Sequence, residues 1–395
     1  MKKGMSRKKA TPAYVSNSFM PLALYDKWLL LAVMGLLIIG LMMVASSSVM
    51  IANHYFQQPF YFLIRQSVYL SIGLLVALVV MRIDMRFWQR FSVPLLFLCL
   101  FFLVIVLVPG IGKVVNGSRR WLALGPIGIQ VSELAKLTMI FYTAGYLVRQ
   151  QHTMNQSVLG FIKPMLVLGV VGILLLREPD FGATVVIVST TMSMLFLAGV
   201  KWRYYLILLL FAVGALALIA VSSPYRVARL TAFLNPWADQ FNSGYQLTQS
   251  LIAFGRGGAM GVGLGESIQK LAYLPEAHTD FLFAVLAEEL GLIGVLVVLV
   301  LYSVLVFRGL MIGLTAFNLS RLFSCYTAYG LTCWLGVQAA INMGVNTGLL
   351  PTKGLTLPML SYGGASMVVN CIVLALLLRI DYENRWQMLG LRVPS

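Results

Sequence analysis

An all-α polytopic membrane protein is the fold class this sequence predicts, on three observations. Of 395 residues, 59% are hydrophobic and only 11% charged, against about 25% charged in soluble domains. Apolar runs able to cross a hydrocarbon core about 30 Å thick recur along the chain. Lysine and arginine gather in the short segments between alternate runs. In lipid, backbone groups must be satisfied internally, so spans of this kind are helices.

The basic "MKKGMSRKKA" opens a cytoplasmic tail, residues 1–27, ahead of a first span at 28–50. That run exceeds a signal-peptide core, so an uncleaved helix is expected. Nine more spans follow at 61–81, 92–109, 133–149, 159–176, 181–200, 204–221, 281–307, 322–343 and 360–379. Ten helices thus occupy a domain over 28–380, with residues 381–395 as a second cytoplasmic tail. An even count places both termini on one side. With that side inside, the inner segments hold 18 of the 29 basic residues but only Asp26, Asp84, Asp381 and Glu383 of the 13 acidic ones. The positive-inside rule therefore gives N-in and C-in. Membrane orientation accounts for the +16 net charge, and a nucleic-acid partner is not expected.

Cys99, Cys325, Cys333 and Cys371 all fall in apolar runs without a C-x-x-C pair, so they read as packing residues. The longest outer loop, 222–280, joins spans seven and eight and is broken by Pro224, Pro236 and Pro275. Within it "YQLTQSLIAF" places Leu247, Leu251 and Phe254 on one helical face, which suits a helix in the membrane interface or an ordinary packed loop helix equally. The following "GRGGAMGVGLGE" lacks the G-K-[S/T] of a nucleotide loop and follows no strand. It reads as tight turns where backbone passes close to another surface.

The outer charges are nearly balanced in sign and fall in a few clusters. "LPEAHTDF" packs Glu276, His278 and Asp280 behind a proline at the mouth of span eight. Membrane-edge carboxylates usually face an aqueous cavity or a partner charge. Glu288 and Glu289, further on, are expected to pin a helix end. "QVSELAK" puts Glu133 and Lys136 on one helix face. A bare i,i+3 pair is worth only a few tenths of a kcal/mol, which favours a functional cavity for a lysine so close to hydrocarbon. "REPDFG" follows the short apolar run "PMLVLGVVGILLL", so Arg177, Glu178 and Asp180 should sit below the outer surface. "NGSRRWLALGP" carries Arg119, Arg120 and Trp121, either an interfacial anchor or a bidentate phosphate clamp. Basic groups and carboxylates from separate parts of the chain, all on the outer side, point to an anionic substrate held at the membrane surface.

These residues together resemble the SEDS family of shape, elongation, division and sporulation proteins. The matching stretches also include "NPWADQFNSGYQLTQSLIAFGRGG", "YLPEAHTDFLFAVLAEELGLIG" and "LLPTKGLTLPMLSYGGAS", and the likeness runs from about Tyr25 to Arg385. "LLLRIDYENR" and the "NGSRRW" loop lean toward the cell-division branch rather than the elongation branch. Ala365 stands where the family pattern has serine, and Val131 where it has proline.

The resemblance implies a ten-helix peptidoglycan glycosyltransferase of the bacterial inner membrane, at the division site. It would polymerise lipid II, an undecaprenyl-pyrophosphate-linked disaccharide-pentapeptide, on the periplasmic face. The aspartate of the family's H-T-D-F motif is its catalytic residue, here Asp280, which could act as general base. Arg119, Arg120 and Lys136 are candidates for the departing pyrophosphate. Lys353 could contact phosphate or peptide, and Glu133, Asp180, Glu276 and His278 complete the substrate-binding candidates. No cofactor is certain; a divalent cation, Mg2+ or Mn2+, could share the charge, although the sequence shows no metal site. The implied partners are the division class B penicillin-binding transpeptidase and FtsQ, FtsL and FtsB. The rival readings are a lipid II flippase, an elongation polymerase, or a scaffold for division proteins.

Overall fold

The computed structural model describes residues 25–115, 118–124, 127–150, 159–221, 227 and 231–391. Most of the basic N-terminal tail, Asn116, Gly117 and Pro224 lie outside them. Helices stand at all the predicted positions: α1 (Lys27–Phe56), α2 (Tyr61–Val80), α3 (Met85–Leu107), α4 (Val131–Arg149), α5 (Leu159–Arg177), α6 (Phe181–Leu197), α7 (Trp202–Val221), then, after a shorter α8 (Tyr245–Gly257), α9 (Leu282–Asn318), α10 (Leu322–Asn346) and α11 (Gly364–Met388). By length and composition, α1, α2, α3, α9 and α11 can each cross a membrane, and α6 is a shorter apolar helix. The chain is a polytopic membrane protein. α4 and α10 are less apolar because they carry Glu133, Lys136, Gln338, Asn342 and Asn346, all buried inside the bundle.

The largest core cluster joins α1, α4, α9, α10 and α11, and a second joins α3, α4, α5 and α6. The periphery is apolar too: Leu31, Ile38, Leu75, Phe97, Phe211 and Val300 are each more than half exposed. That is the inverse of a soluble surface and is stable only where lipid is the solvent. The four cysteines are free thiols within this packing, Cys333 half-buried and the others buried.

The two ends of the bundle differ. At one end ion pairs tie the helices, Asp26 to Arg308, Asp84 to Arg379 and Glu383 to Arg321, and others run along α11, Glu383 to Arg379 and Asp381 to Arg385. The four acidic residues assigned to the inner side thus all take part. α11 continues to Met388, past the predicted end at 379, because its last turns bury Asp381 and Glu383 in these pairs. The predicted tail therefore begins as helix.

At the other end, the segment after α3 is a three-stranded antiparallel sheet of β1 (Gly112–Val115), β2 (Ser118–Leu124) and β3 (Ile127–Gln130), where the sequence alone predicts a loop. Trp121 stands opposite both Lys113 and Gln130 in it.

α9 is interrupted at Gly291 (φ 64°, ψ −163°). A helix break in lipid strands backbone groups, and the glycine-rich stretch receives them. The N–H groups of Leu292 and Ile293 donate to the carbonyls of Gly258 and Ala259 at 3.0 and 3.3 Å. Those of Val262 and Gly263 donate to the carbonyls of Glu288 and Glu289 at 3.0 and 3.1 Å. A Cβ at Gly257, Gly261 or Gly291 would collide with facing backbone. The close approach expected of these glycines is real, and the facing surface is the break in α9.

Glu288 and Glu289 are locked beside the break. Glu288 pairs with Arg256 at 2.6 Å and accepts from the Ser267 hydroxyl; Glu289 pairs with Lys270 at 2.8 Å and accepts from Ser46. These pairs brace the break in α9, where the sequence led to the expectation of carboxylates pinning a helix end. α8 packs on α9 and α10, and Ser250 donates to Asn346 O at 2.7 Å. Its buried face includes Thr248 and Ser250, which helical periodicity places away from the apolar face. On that face it packs against the bundle as a loop helix would.

Candidate active site

A groove of about 1080 Å³ opens at the end of the bundle opposite the ion pairs. Of the candidates that the sequence nominates, it brings together Arg120, Glu133, Lys136, Asp180, Glu276, His278, Asp280 and Lys353. It does not bring Arg119. Neighbours in a strand face opposite ways; Arg120 lines the groove, while Arg119 donates to Leu107 O at 3.2 Å, at the end of α3.

Asp280 lies half-buried just before α9 begins. Its carbonyl is held by two buried amides of α10, Asn342 Nδ2 at 2.8 Å and Asn346 Nδ2 at 3.0 Å. Asn342 also donates to Leu355 O at 2.6 Å, and Asn346 Oδ1 accepts from Ala284 N at 3.2 Å. The aspartate is therefore registered against both α9 and the segment bearing Lys353. That segment approaches closely: a Cβ on Gly354 would stand 3.0 Å from Asp280 Oδ2.

Around Asp280 the preceding turn is tight. Glu276 is in the left-handed region (φ 58°) and accepts from the Thr279 hydroxyl at 2.6 Å. His278 is buried between Phe62 and Tyr362, with ring centroids at 4.6 and 5.6 Å. Burial pushes its pKa down, against the pull of Glu276, so the imidazole is neutral at pH 7.

Glu133 and Lys136 are both a pair and part of the groove. Lys136 Nζ donates to Glu133 Oε1 and to Gln338 Oε1, each at 2.8 Å, and sits 4.8 Å from the Trp334 ring. Gln338 passes the connection on to Thr356 O at 2.9 Å. Asp180 caps α6 through Ala183 N at 3.0 Å and faces Arg120 at 3.5 Å. Glu178, next to it, is fully buried, with neither oxygen hydrogen-bonded within the protein, and burial together with the Asp180 charge pushes its pKa up to about 8. Lys353 lies 4.1 Å over the Phe181 ring.

Sequence reasoning missed Gln338, Asn342 and Asn346. Their spacing of four places three amides along one stripe of an otherwise apolar helix, a signal available in the sequence. Arg65 and Tyr69 of α2, which also line the groove, were missed as well.

Among the described residues no cluster of three or more His, Cys, Asp and Glu could hold a metal ion. Asp280 and Glu276 offer two carboxylates, one already bonded to Thr279. Magnesium is often held by one or two carboxylates plus substrate phosphates, so these residues fit a cation only as an addition to bound phosphate. Their own chemistry is that of a base beside cations.

Comparison with known proteins places this geometry. The FtsW/RodA/SpoVE family model, described as "Cell cycle protein", matches residues 27–386. A Legionella pneumophila protein named probable peptidoglycan glycosyltransferase FtsW is 74% identical over 372 residues, covering 94% of each chain. A Coxiella burnetii protein of the same name is 54% identical, over 91% of this chain and 97% of its own. Among solved structures, a chain from a peptidoglycan synthase complex that coordinates polymerization and crosslinking superposes with TM-score 0.76 at 31% identity, covering 92% of this chain and 99% of its own. Thermus thermophilus RodA, a rod shape determining protein, gives 0.68 at 30% identity, over 92% and 98%.

Proposed function

The chain belongs to the FtsW/RodA/SpoVE family of cell cycle proteins, and from that premise we infer that the groove around Asp280 joins lipid-linked sugars into glycan strands. The enzyme is a peptidoglycan glycosyltransferase. Its substrate is lipid II, whose sugar-phosphate head lies in water while its polyprenyl tail stays in the bilayer. A groove at one end of a lipid-facing bundle suits such a molecule.

Asp280 acts as the general base. Its carboxylate takes the proton from the acceptor's 4-hydroxyl as that oxygen attacks the donor's anomeric carbon, and the bond from that carbon to the donor pyrophosphate breaks. Base assistance of this kind is worth about 10²–10⁴-fold. Asn342 and Asn346 position the aspartate. The departing pyrophosphate is stabilised by Arg120 and Lys353. Lys136, engaged by Glu133 and Gln338, instead fixes α4 to α10 at the floor of the groove. A divalent cation bound with the phosphates would add Lewis-acid charge there.

The topology is ten spans, N-in and C-in, with the groove facing the periplasm of the inner membrane at the division site. The distribution of basic residues supports this, as does the gathering of Asp26, Asp84, Asp381 and Glu383 at the end opposite the groove. The partners are a class B penicillin-binding transpeptidase with FtsQ, FtsL and FtsB, a reading supported by the solved relative's place in a synthase complex. The flippase reading expects helices broken at matching positions of two repeats. Among the described residues α9 alone of the long helices has such a break, and it is closed by the glycine-rich loop.

The observation that carries the reading is an aspartate, anchored by two buried amides, in a groove that also presents Arg65, Lys113, Arg120 and Lys353. Purified Asp280→Asn and Asp280→Ala proteins should bind lipid II yet make no polymer. Normal polymer length and rate from either would end the proposal.

A further inference from the structure

The groove has two walls, with Asp280 between them. On one side His278 leads to Phe62 and Tyr362, and hence to α2. On the other, Gly354 and Lys353 lead to Phe181, and hence to α6 and Arg120. The described cations lining the groove besides Lys136 divide accordingly: Lys113, Arg120 and Lys353 belong to the sheet and α6 side, and Arg65 to α2. Glycosyl transfer between two lipid-linked sugars brings two pyrophosphates to one base, and the groove, at about 1080 Å³, stands at the upper end of the ~300–1,000 Å³ of small-molecule sites.

We propose that Arg65, framed by Tyr61 and Tyr69, binds the pyrophosphate of the acceptor lipid, while the Arg120 and Lys353 wall takes that of the donor. This rests on the glycosyltransferase reading above. Arg65 is exposed at the outer turn of α2 and donates to Tyr61 Oη at 2.9 Å and Tyr69 Oη at 3.4 Å. The tyrosine rings lie beside it, with centroids 5.5 and 6.0 Å away. No carboxylate among the described residues pairs with it, in contrast to Arg120, which has Asp180. A planar guanidinium held by two phenols is pre-shaped for bidentate phosphate contact.

The flanking residues provide for the tail. Ile64 and Val68, next to Arg65 on α2, are each more than half exposed, so a phosphate at Arg65 leaves its hydrocarbon along an apolar helix face. The allocation of the two lipids follows from charge. Only the donor's pyrophosphate gains charge as its bond breaks, and it belongs on the wall with more cations. The acceptor's phosphates are the same before and after, so a single guanidinium that binds ground and transition states equally suffices.

The test titrates lipid II as acceptor against a preformed polyprenyl-linked glycan at fixed concentration, in vesicles with and without anionic phospholipid. Arg65→Ala should raise the acceptor KM about 10- to 100-fold with kcat within about twofold. Arg65→Lys should recover part of that affinity, and Arg120→Ala should lower kcat instead. Arg65 is exposed, and equal thermal unfolding of both variants confirms folding. An unchanged KM for Arg65→Ala in both vesicle types would mean that Arg65 meets only bulk phospholipid, and would overturn the inference. A fall in kcat at unchanged KM would overturn it too, by placing Arg65 on the leaving-group side. Activity in Asp280→Asn would instead sink the underlying glycosyltransferase mechanism, whatever Arg65 does.

Discussion

Replacing Asn342 with leucine tests the amide stripe, because leucine keeps the branching and approximate volume and removes the donor, together with an Oδ1 that accepts only a long contact from Asn346 Nδ2 at 3.4 Å. Two carbonyls lose a bond. Asp280 O gives up one at 2.8 Å and keeps Asn346 at 3.0 Å; Leu355 O gives up one at 2.6 Å. A net hydrogen bond is worth about 0.5–1.5 kcal/mol, and an unsatisfied buried acceptor costs about 1–3 kcal/mol. Asn342→Leu should therefore cost roughly 2–4 kcal/mol locally. The rate should suffer more than the fold, because Asn342 links the segment bearing Asp280 to the one bearing Lys353. A displacement of about 1 Å can cost about 10²-fold in rate. We expect kcat for lipid II polymerisation to fall about 10- to 100-fold with KM nearly unchanged. Single-turnover polymerisation, read alongside thermal unfolding, decides the matter. A kcat within about twofold of wild type, or a loss matching only the fraction unfolded, would refute the positioning role.

Two further perturbations have definite outcomes. Glu178 has its pKa raised from 4.5 to about 8, so the native state holds a proton that the unfolded chain releases. Its contribution to stability is full below pH 4.5, declines as pH rises toward 8 and is then gone. Glu178→Gln should flatten the fall in unfolding temperature between about pH 5 and 8 and raise it at about pH 8; an unchanged slope would mean that the carboxyl is ionised in the native state. Gly291→Ala places a Cβ against Gly261 N at a left-handed φ of 64°. It should cost several kcal/mol and lower the unfolding temperature; a melting curve matching wild type would show that the break tolerates a side chain.

The helices were legible because the hydrophobic period and the bilayer thickness constrain each other, and every apolar run became a helix near its expected place. Interruptions were less legible. Nothing in "LAEELGLIG" tells Gly291 from Gly294 as the point where α9 is interrupted, because its partner is a glycine-rich loop well upstream in the chain. The charged candidates largely converged, because charge near hydrocarbon needs an enclosed reason. Arg119 did not: two adjacent arginines look alike in sequence, and only a strand's alternation separates them. Arg65 stayed hidden for the opposite reason. One arginine near the end of a membrane helix reads as an ordinary snorkelling anchor until the groove beside it is known.

The bonds that close the gap in α9 also set how this chain can vary in length. Gly258 and Ala259 must meet positions 292 and 293 while Val262 and Gly263 meet 288 and 289. One residue inserted between Ala259 and Val262 would put either the incoming or the outgoing pair out of step and leave backbone amides in a region where water is scarce. The exposed turn at 240–242 lies outside that register, so tags, insertions and natural length differences in the outer loop belong there and not in the glycine-rich stretch.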